Sequence, residues 1–248
     1  MKNKVKVQEV NLTNRRSFLK FSGLAIAGTG LLLAGCSDDD VSESTPPTVH
    51  NPGVINGTFD LGGGDLGILT YAYALEQLEA DFYTRVVNHN SFGSTFNNEE
   101  QMVLEDLYNH EVIHREFFKA AISGAISNQN QLLPSLEFDY GALNFGNRDM
   151  VLGTAKALED TGVAAYNGAG RYLVTPGYLL LAGKIVSVEA RHASAIRDLI
   201  NPGSADFAGD DVVSASNGLD MARKPSQIIS EVVALDFVQT PFTAMYLP

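Results

Sequence analysis

Six residues of this chain combine metal-binding chemistry with an unexpected position: Glu76, Glu111 with His114, Glu159, and Glu189 with His192. In chain order they read Glu, Glu-x-x-His, Glu, Glu-x-x-His. They fall on the apolar stripes of four stretches with helical periodicity, where an unpaired carboxylate is costly. A spacing of three puts Glu111 and His114 on one helix face, and Glu189 and His192 on another. Four carboxylates carry about four negative charges, enough to balance two divalent cations, and two neutral imidazoles complete the coordination without adding charge. Left bare, carboxylates about 5 Å apart repel by roughly 3 kcal/mol a pair at an effective dielectric of ~20. A fold stable by about 5 to 15 kcal/mol tolerates few such pairs. The chemistry expected is metal ligation; without metal, the site must take up protons.

Four long helices must position these groups. The first is predicted from about Asp65 to His89, with Leu69, Ala72, Glu76, Glu79 or Ala80, Tyr83 and Val86 on one stripe. Glu79 lies close enough to that stripe to replace or supplement Glu76 as a ligand. The second helix begins after the capping residues Asn97 and Asn98, with Glu99 and Glu100 favoured in its first turn, and runs to about Ser123. Its seam is Leu104, Leu107, Glu111, His114, Phe118 and Ala121; His110 and Glu116 fall off it and are expected to face solvent. The third, about Arg148 to Val174, presents Leu152, Ala155, Glu159, Val163 and Tyr166. Its glycines, Gly153, Gly162, Gly168 and Gly170, cost helix propensity and predict close packing against a neighbour. Pro176 opens the fourth, which ends near Ile200 before Asn201, Pro202 and Gly203.

The segment between Gly124 and Asn147 has no helical period and is long for a hairpin loop, so it is predicted to cross along the bundle between helices two and three. Residues 201–248 form a mixed tail with a short helix opening at Pro225, placed to cap the bundle. An internal repeat ties the halves together: Ala74, Leu75 and Glu76 precede Tyr83 by the offsets at which Ala157, Leu158 and Glu159 precede Tyr166. That repeat favours Glu76 over Glu79. The two tyrosines either pack in the core or hydrogen-bond to ligands.

The amino terminus has a separate role. Arg15 and Arg16, then Ser17, Phe18, Leu19, Lys20 and an apolar run from Phe21 to Ala34, read as a signal peptide over 1–35. The arginine pair resembles a twin-arginine export signal, with Asn14 where Ser or Thr is usual. Leu33, Ala34, Gly35 and Cys36 resemble a lipoprotein processing site, so Cys36, the single cysteine, is expected to carry the lipid and anchor the protein to a membrane. Residues 36–64, rich in Ser, Thr, Pro, Gly and Asp, are predicted to be a flexible tether. Ser37 after the cysteine resembles lipoproteins that are not held at the inner membrane, which implies a cell-envelope protein of the outer membrane, and the run Asp38, Asp39 and Asp40 resembles a surface-export tag.

Six of 17 basic residues and one of 29 acidic residues precede Cys36, which leaves 11 against 28, a charge near −17. Nucleic acid is therefore not an expected partner.

The Leu-Glu-x-x-Glu-Ala-x-Phe-Tyr segment, here Leu75, Glu76, Glu79, Ala80, Phe82 and Tyr83, together with the paired Glu-x-x-His motifs, resembles the ferritin-like superfamily. The nearer likeness is to its exported branch related to desiccation-associated proteins, over residues 65–200. The resemblance implies an all-α, ferritin-like four-helix bundle holding two Fe ions, or alternatively Mn. Glu111 and Glu189 would bridge, Glu76 and Glu159 would terminate, and His114 and His192 would each bind one ion. It also implies an oxidoreductase consuming dioxygen or hydrogen peroxide, with ferroxidase activity as one form. A non-enzymatic structural or stress-protective lipoprotein without obligatory metal is the other expectation.

Overall fold

A computed structural model describes residues 50–248; the expected signal 1–35, Cys36 and the tether up to residue 49 lie outside the described residues. Four helices carry the architecture: α1 (Gly64–Val87), α2 (Asn98–Ala125), α3 (Arg148–Gly170) and α4 (Pro176–Ile200), with a shorter α5 (Pro225–Ala234). The predicted four-helix bundle is the one observed, with α1 packed along α2 and α3 along α4. Among the described residues, no helix is long and apolar enough to cross a membrane.

Local chemistry accounts for the helix boundaries. The Asn97 side chain accepts hydrogen bonds from the backbone amides of Glu99 and Glu100, and the Glu100 carboxylate accepts one from the Asn97 amide, a capping box that starts α2. Helix α3 stops at Gly170, short of the predicted Val174. The next turn is captured instead by Asp65, whose carboxylate accepts from the amides of Val174 and Thr175 and so pins the α3–α4 connection to the start of α1.

Residues 50–64 are not a flexible tether. Strands β1 (Gly53–Ile55) and β2 (Thr58–Asp60) pair antiparallel across Asn56 and Gly57, both at positive φ, which is the hairpin turn favoured by Asn-Gly. Strand β3 (Phe242–Thr243), near the carboxy terminus, adds in parallel beside β2. Asp60 locks this junction: it is buried, and Oδ2 accepts from Thr243 Oγ1 at 2.6 Å and from the Met245 amide at 3.0 Å.

Helix α1 is buried nearly all round rather than along one stripe, because the crossover covers its outer side. The Gln77 side chain donates to the Pro134 carbonyl and accepts from the Leu136 amide, while Tyr140 packs on Phe82. The tail is held at two places. Arg197 of α4, only 3% exposed, makes two-pronged contacts with Asp160 of α3 and Asp211 of the tail. Beyond it, the Arg223 amide donates to the Ala164 carbonyl as the chain crosses α3.

That crossing explains Gly168, where a Cβ would meet the Arg223 carbonyl oxygen at 1.7 Å; at Gly153 a Cβ would meet nothing within 4 Å. The close packing expected from the α3 glycines therefore holds for Gly168 but not for Gly153. Gly168→Ala is expected to cost about 1–3 kcal/mol of stability through overpacking, and Gly153→Ala to add roughly 0.5–1 kcal/mol through helix propensity. Urea unfolding of the two variants side by side measures both.

Candidate metal centre

The structure gathers all six sequence-predicted residues. Glu76 from α1, Glu111 and His114 from α2, Glu159 from α3, and Glu189 and His192 from α4 meet at the centre of the bundle. The four carboxylates are fully buried and His192 is 3% exposed. Two overlapping groups could each hold a metal ion: Glu76, Glu111, His114 and Glu189; and Glu111, Glu159, Glu189 and His192, with donor atoms in each group within 4.8 Å of one another.

The atoms divide cleanly between them. His114 Nδ1 lies 2.9 Å from Glu189 Oε1, 3.4 Å from Glu111 Oε2 and 3.5 Å from Glu76 Oε2. His192 Nδ1 lies 2.7 Å from Glu111 Oε1, 3.5 Å from Glu159 Oε2 and 3.7 Å from Glu189 Oε2. Glu111 and Glu189 thus give one oxygen to each half. Short as these separations are, none of the eight atoms has a hydrogen-bond partner. Buried polar atoms are normally paired, and eight orphans converging in two sets of four have the donor arrangement of a dinuclear site.

The remaining oxygens of the outer glutamates are occupied. Tyr83 Oη donates to Glu159 Oε1 at 2.6 Å, and Tyr166 Oη donates to Glu76 Oε1. Each tyrosine therefore serves the glutamate of the opposite helix, which requires α1 and α3 to run antiparallel. Of the two expectations for these tyrosines, hydrogen bonding to candidate ligands is the one realised.

Two further residues bear on the centre. Glu79 is 3% exposed and belongs to neither group of four; its Oε2 has no partner. His110 is exposed as expected, yet its Nδ1 stands 2.9 Å from His192 Nε2 and the two rings stack. The i, i+4 spacing of His110 and His114 was the available signal for that contact, since it puts His110 on the flank of the α2 seam.

Electrostatics in the ion-free protein follow from the crowding. Burial and the charge of Glu111 push the Glu76 carboxyl well above the usual range, and burial raises Glu159 to about 8 against the pull of His192. Burial also opposes charge on His114, but Glu111, Glu189 and Glu76 outweigh it and push the imidazole up to about 12. His192 reaches about 12 in the same way, through Glu111, Glu159 and Glu189. Burial would raise Glu111, but the two histidines prevail and hold it at about 2. Protons occupy the place that the donor geometry offers to cations.

Residues 64–202 match the family described as ferritin-like domain. The chain belongs to this family. The ferritin-like domain thus encloses α1 to α4 and all six clustered residues, and stops before the tail. A Thermotoga maritima crystal structure, provisionally described as a ferritin-like diiron-carboxylate protein, matches with 20% identity and a TM-score of 0.42. It covers 56% of this chain and 95% of its own. No curated protein matches.

The shifted groups set the pH dependence of the metal-free ferritin-like domain. Glu159 binds its proton more tightly when folded, so its contribution is fully present below 4.5 and is lost as pH rises to about 8. The histidines lose theirs between 6.5 and about 12, whereas Glu111 contributes only above its window of about 2 to 4.5. The melting temperature of chelator-treated protein is expected to fall as pH rises from about 5 to 9. Thermal melts across that range test this, and a rising trend would contradict the proton-loaded cluster.

Proposed function

We propose that Glu76, Glu111, His114, Glu159, Glu189 and His192 hold two divalent transition-metal ions, iron first and manganese as the alternative. On this reading the protein is an oxidoreductase of the cell envelope that consumes dioxygen or hydrogen peroxide, with ferroxidase activity included. The carrying observation is the partition of eight unpartnered donor atoms into two sets of four, with Glu111 and Glu189 contributing one oxygen to each. Four carboxylates and two imidazoles suit iron or manganese, and the choice between those metals rests with availability.

A bound pair of such ions supplies one-electron reducing equivalents side by side for dioxygen or peroxide. The chain's own groups prepare the site. Tyr83 and Tyr166 each occupy one oxygen of an outer glutamate and leave the other free, so Glu159 and Glu76 are held as single-oxygen ligands. With Nδ1 of His192 turned to the cluster, its Nε2–H donates to His110, which fixes the ring and its tautomer. The apolar shell excludes bulk water and strengthens each charge interaction inside it. The arginine pair, Cys36 and the acidic run after it support export and lipid anchoring at the envelope, and the acidic charge argues against nucleic acid.

Elemental analysis of the purified mature protein is expected to find close to two ions per chain. Glu76→Ala should retain about one, because Glu76 serves a single group, whereas Glu111→Ala and Glu189→Ala should lose both. A protein with all six residues intact and no metal at neutral pH would leave only the structural or stress-protective lipoprotein. Tyr83→Phe and Tyr166→Phe are each expected to weaken metal affinity by roughly 10- to 100-fold, measured by competition with a chelator.

A further inference from the structure

Outside the six clustered residues, only Glu79 and Tyr71 contribute buried side-chain polar atoms without a partner among the described residues. Glu79 lies on the floor of a cavity of about 170 Å³ between α1, α3 and α5, lined also by Leu78, Ala157, Gly162, Glu231 and Leu235. Ala157 and Leu235 are exposed and Glu231 is partly so, which opens the cavity to solvent at the α5 side. At its inner end stands Gly162. A Cβ there would lie 3.1 Å from Glu79 Oε1 and 3.7 Å from Glu189 Oε2, so the missing side chain leaves a gap between the cavity's carboxylate and the cluster's.

We propose that this cavity is the loading port of the centre: a divalent cation enters past Glu231, is taken from water by Glu79, and passes the Gly162 gap to Glu189. The inference rests on the dinuclear reading above and assigns Glu79 a role outside both ligand groups. Burial and the charge of Glu111 hold the Glu79 carboxyl well above the usual range in the ion-free protein, so the step is ligand exchange with proton release. The ion gives up water for Glu79 as the Glu79 proton leaves to solvent, then exchanges Glu79 for Glu189, with no change of oxidation state. It also accounts for a carboxylate kept in the interior without a hydrogen bond on Oε2, since a group that must release its ion gains nothing from a permanent partner. Helix α5, which forms the outer wall, lies beyond the ferritin-like match, so the port belongs to this chain's tail as much as to its bundle.

The test is the rate at which metal-free full-length protein binds Co²⁺, followed by its visible absorption in stopped flow, with ions per chain counted at equilibrium. Glu79→Gln keeps the shape and removes the acid that can exchange its proton for an ion, Gly162→Ala fills the gap, and Ala157→Trp blocks the exposed mouth without touching the core. Each is expected to slow loading by about tenfold or more, the scale on which charge and access govern association, while two ions still bind in the end. Ala157→Trp keeps the test decisive should either interior variant fail to fold. Wild-type loading rates in the folded variants would overturn the proposal. So would a fall to one ion in Glu79→Gln, which would make Glu79 a ligand. A wild-type protein that binds no Co²⁺ at all would instead sink the dinuclear reading itself.

Discussion

Acid groups in an apolar interior are the constraint from which the rest of this molecule follows. Four glutamates with no exposure, and a fifth nearly so, cannot all be ionised beside one another without compensating charge. Without ions, the protein compensates with protons: two histidines are held cationic and Glu76 and Glu159 resist ionisation. The arrangement is poor as a hydrogen-bonded network, because the close nitrogen–oxygen approaches lack the geometry to satisfy either partner. Its donors are placed to meet at two points, which is what cations need.

Keeping that cluster dry requires more than four helices. Helix α1 is enclosed on its outer side by the crossover, through the Gln77 amide and Tyr140, so it can be apolar nearly all round. The tail braces the other pair: Arg197, itself buried, joins α3 to the segment around Asp211 with charge on both sides. The carboxy-terminal strand returns to the hairpin before α1, where Asp60 ties the two ends of the described chain together.

The two halves are related through the site as well as through the fold. Equal offsets from Glu76 to Tyr83 and from Glu159 to Tyr166 become reciprocal hydrogen bonds because α1 and α3 are antiparallel. A symmetric ligand set follows, with two glutamates shared and two supported from across the bundle. Glu79 breaks that symmetry. Its counterpart by the repeat offset is Gly162, and the space left by that glycine is where Glu79 and Glu189 approach the same point.

Periodicity and spacing made the bundle and the six residues legible, because a helix places positions three and four apart on one face whatever surrounds it. Pro176 and Ile200 bounded α4 as read, and Asn97 capped α2. The hairpin at 53–60 carried its own sign in Asn56-Gly57, but a region rich in turn residues reads as a linker until a partner strand is known. Which acids and imidazoles share a helix face follows from residue order alone. Packing of the helices against one another sets which oxygen meets which nitrogen, that Tyr83 serves Glu159 and Tyr166 serves Glu76, that His110 touches His192, and that Glu79 stands apart beside a cavity. Those are contacts between helices, set by crossing geometry and by what lies on the far side, and a one-dimensional pattern holds neither.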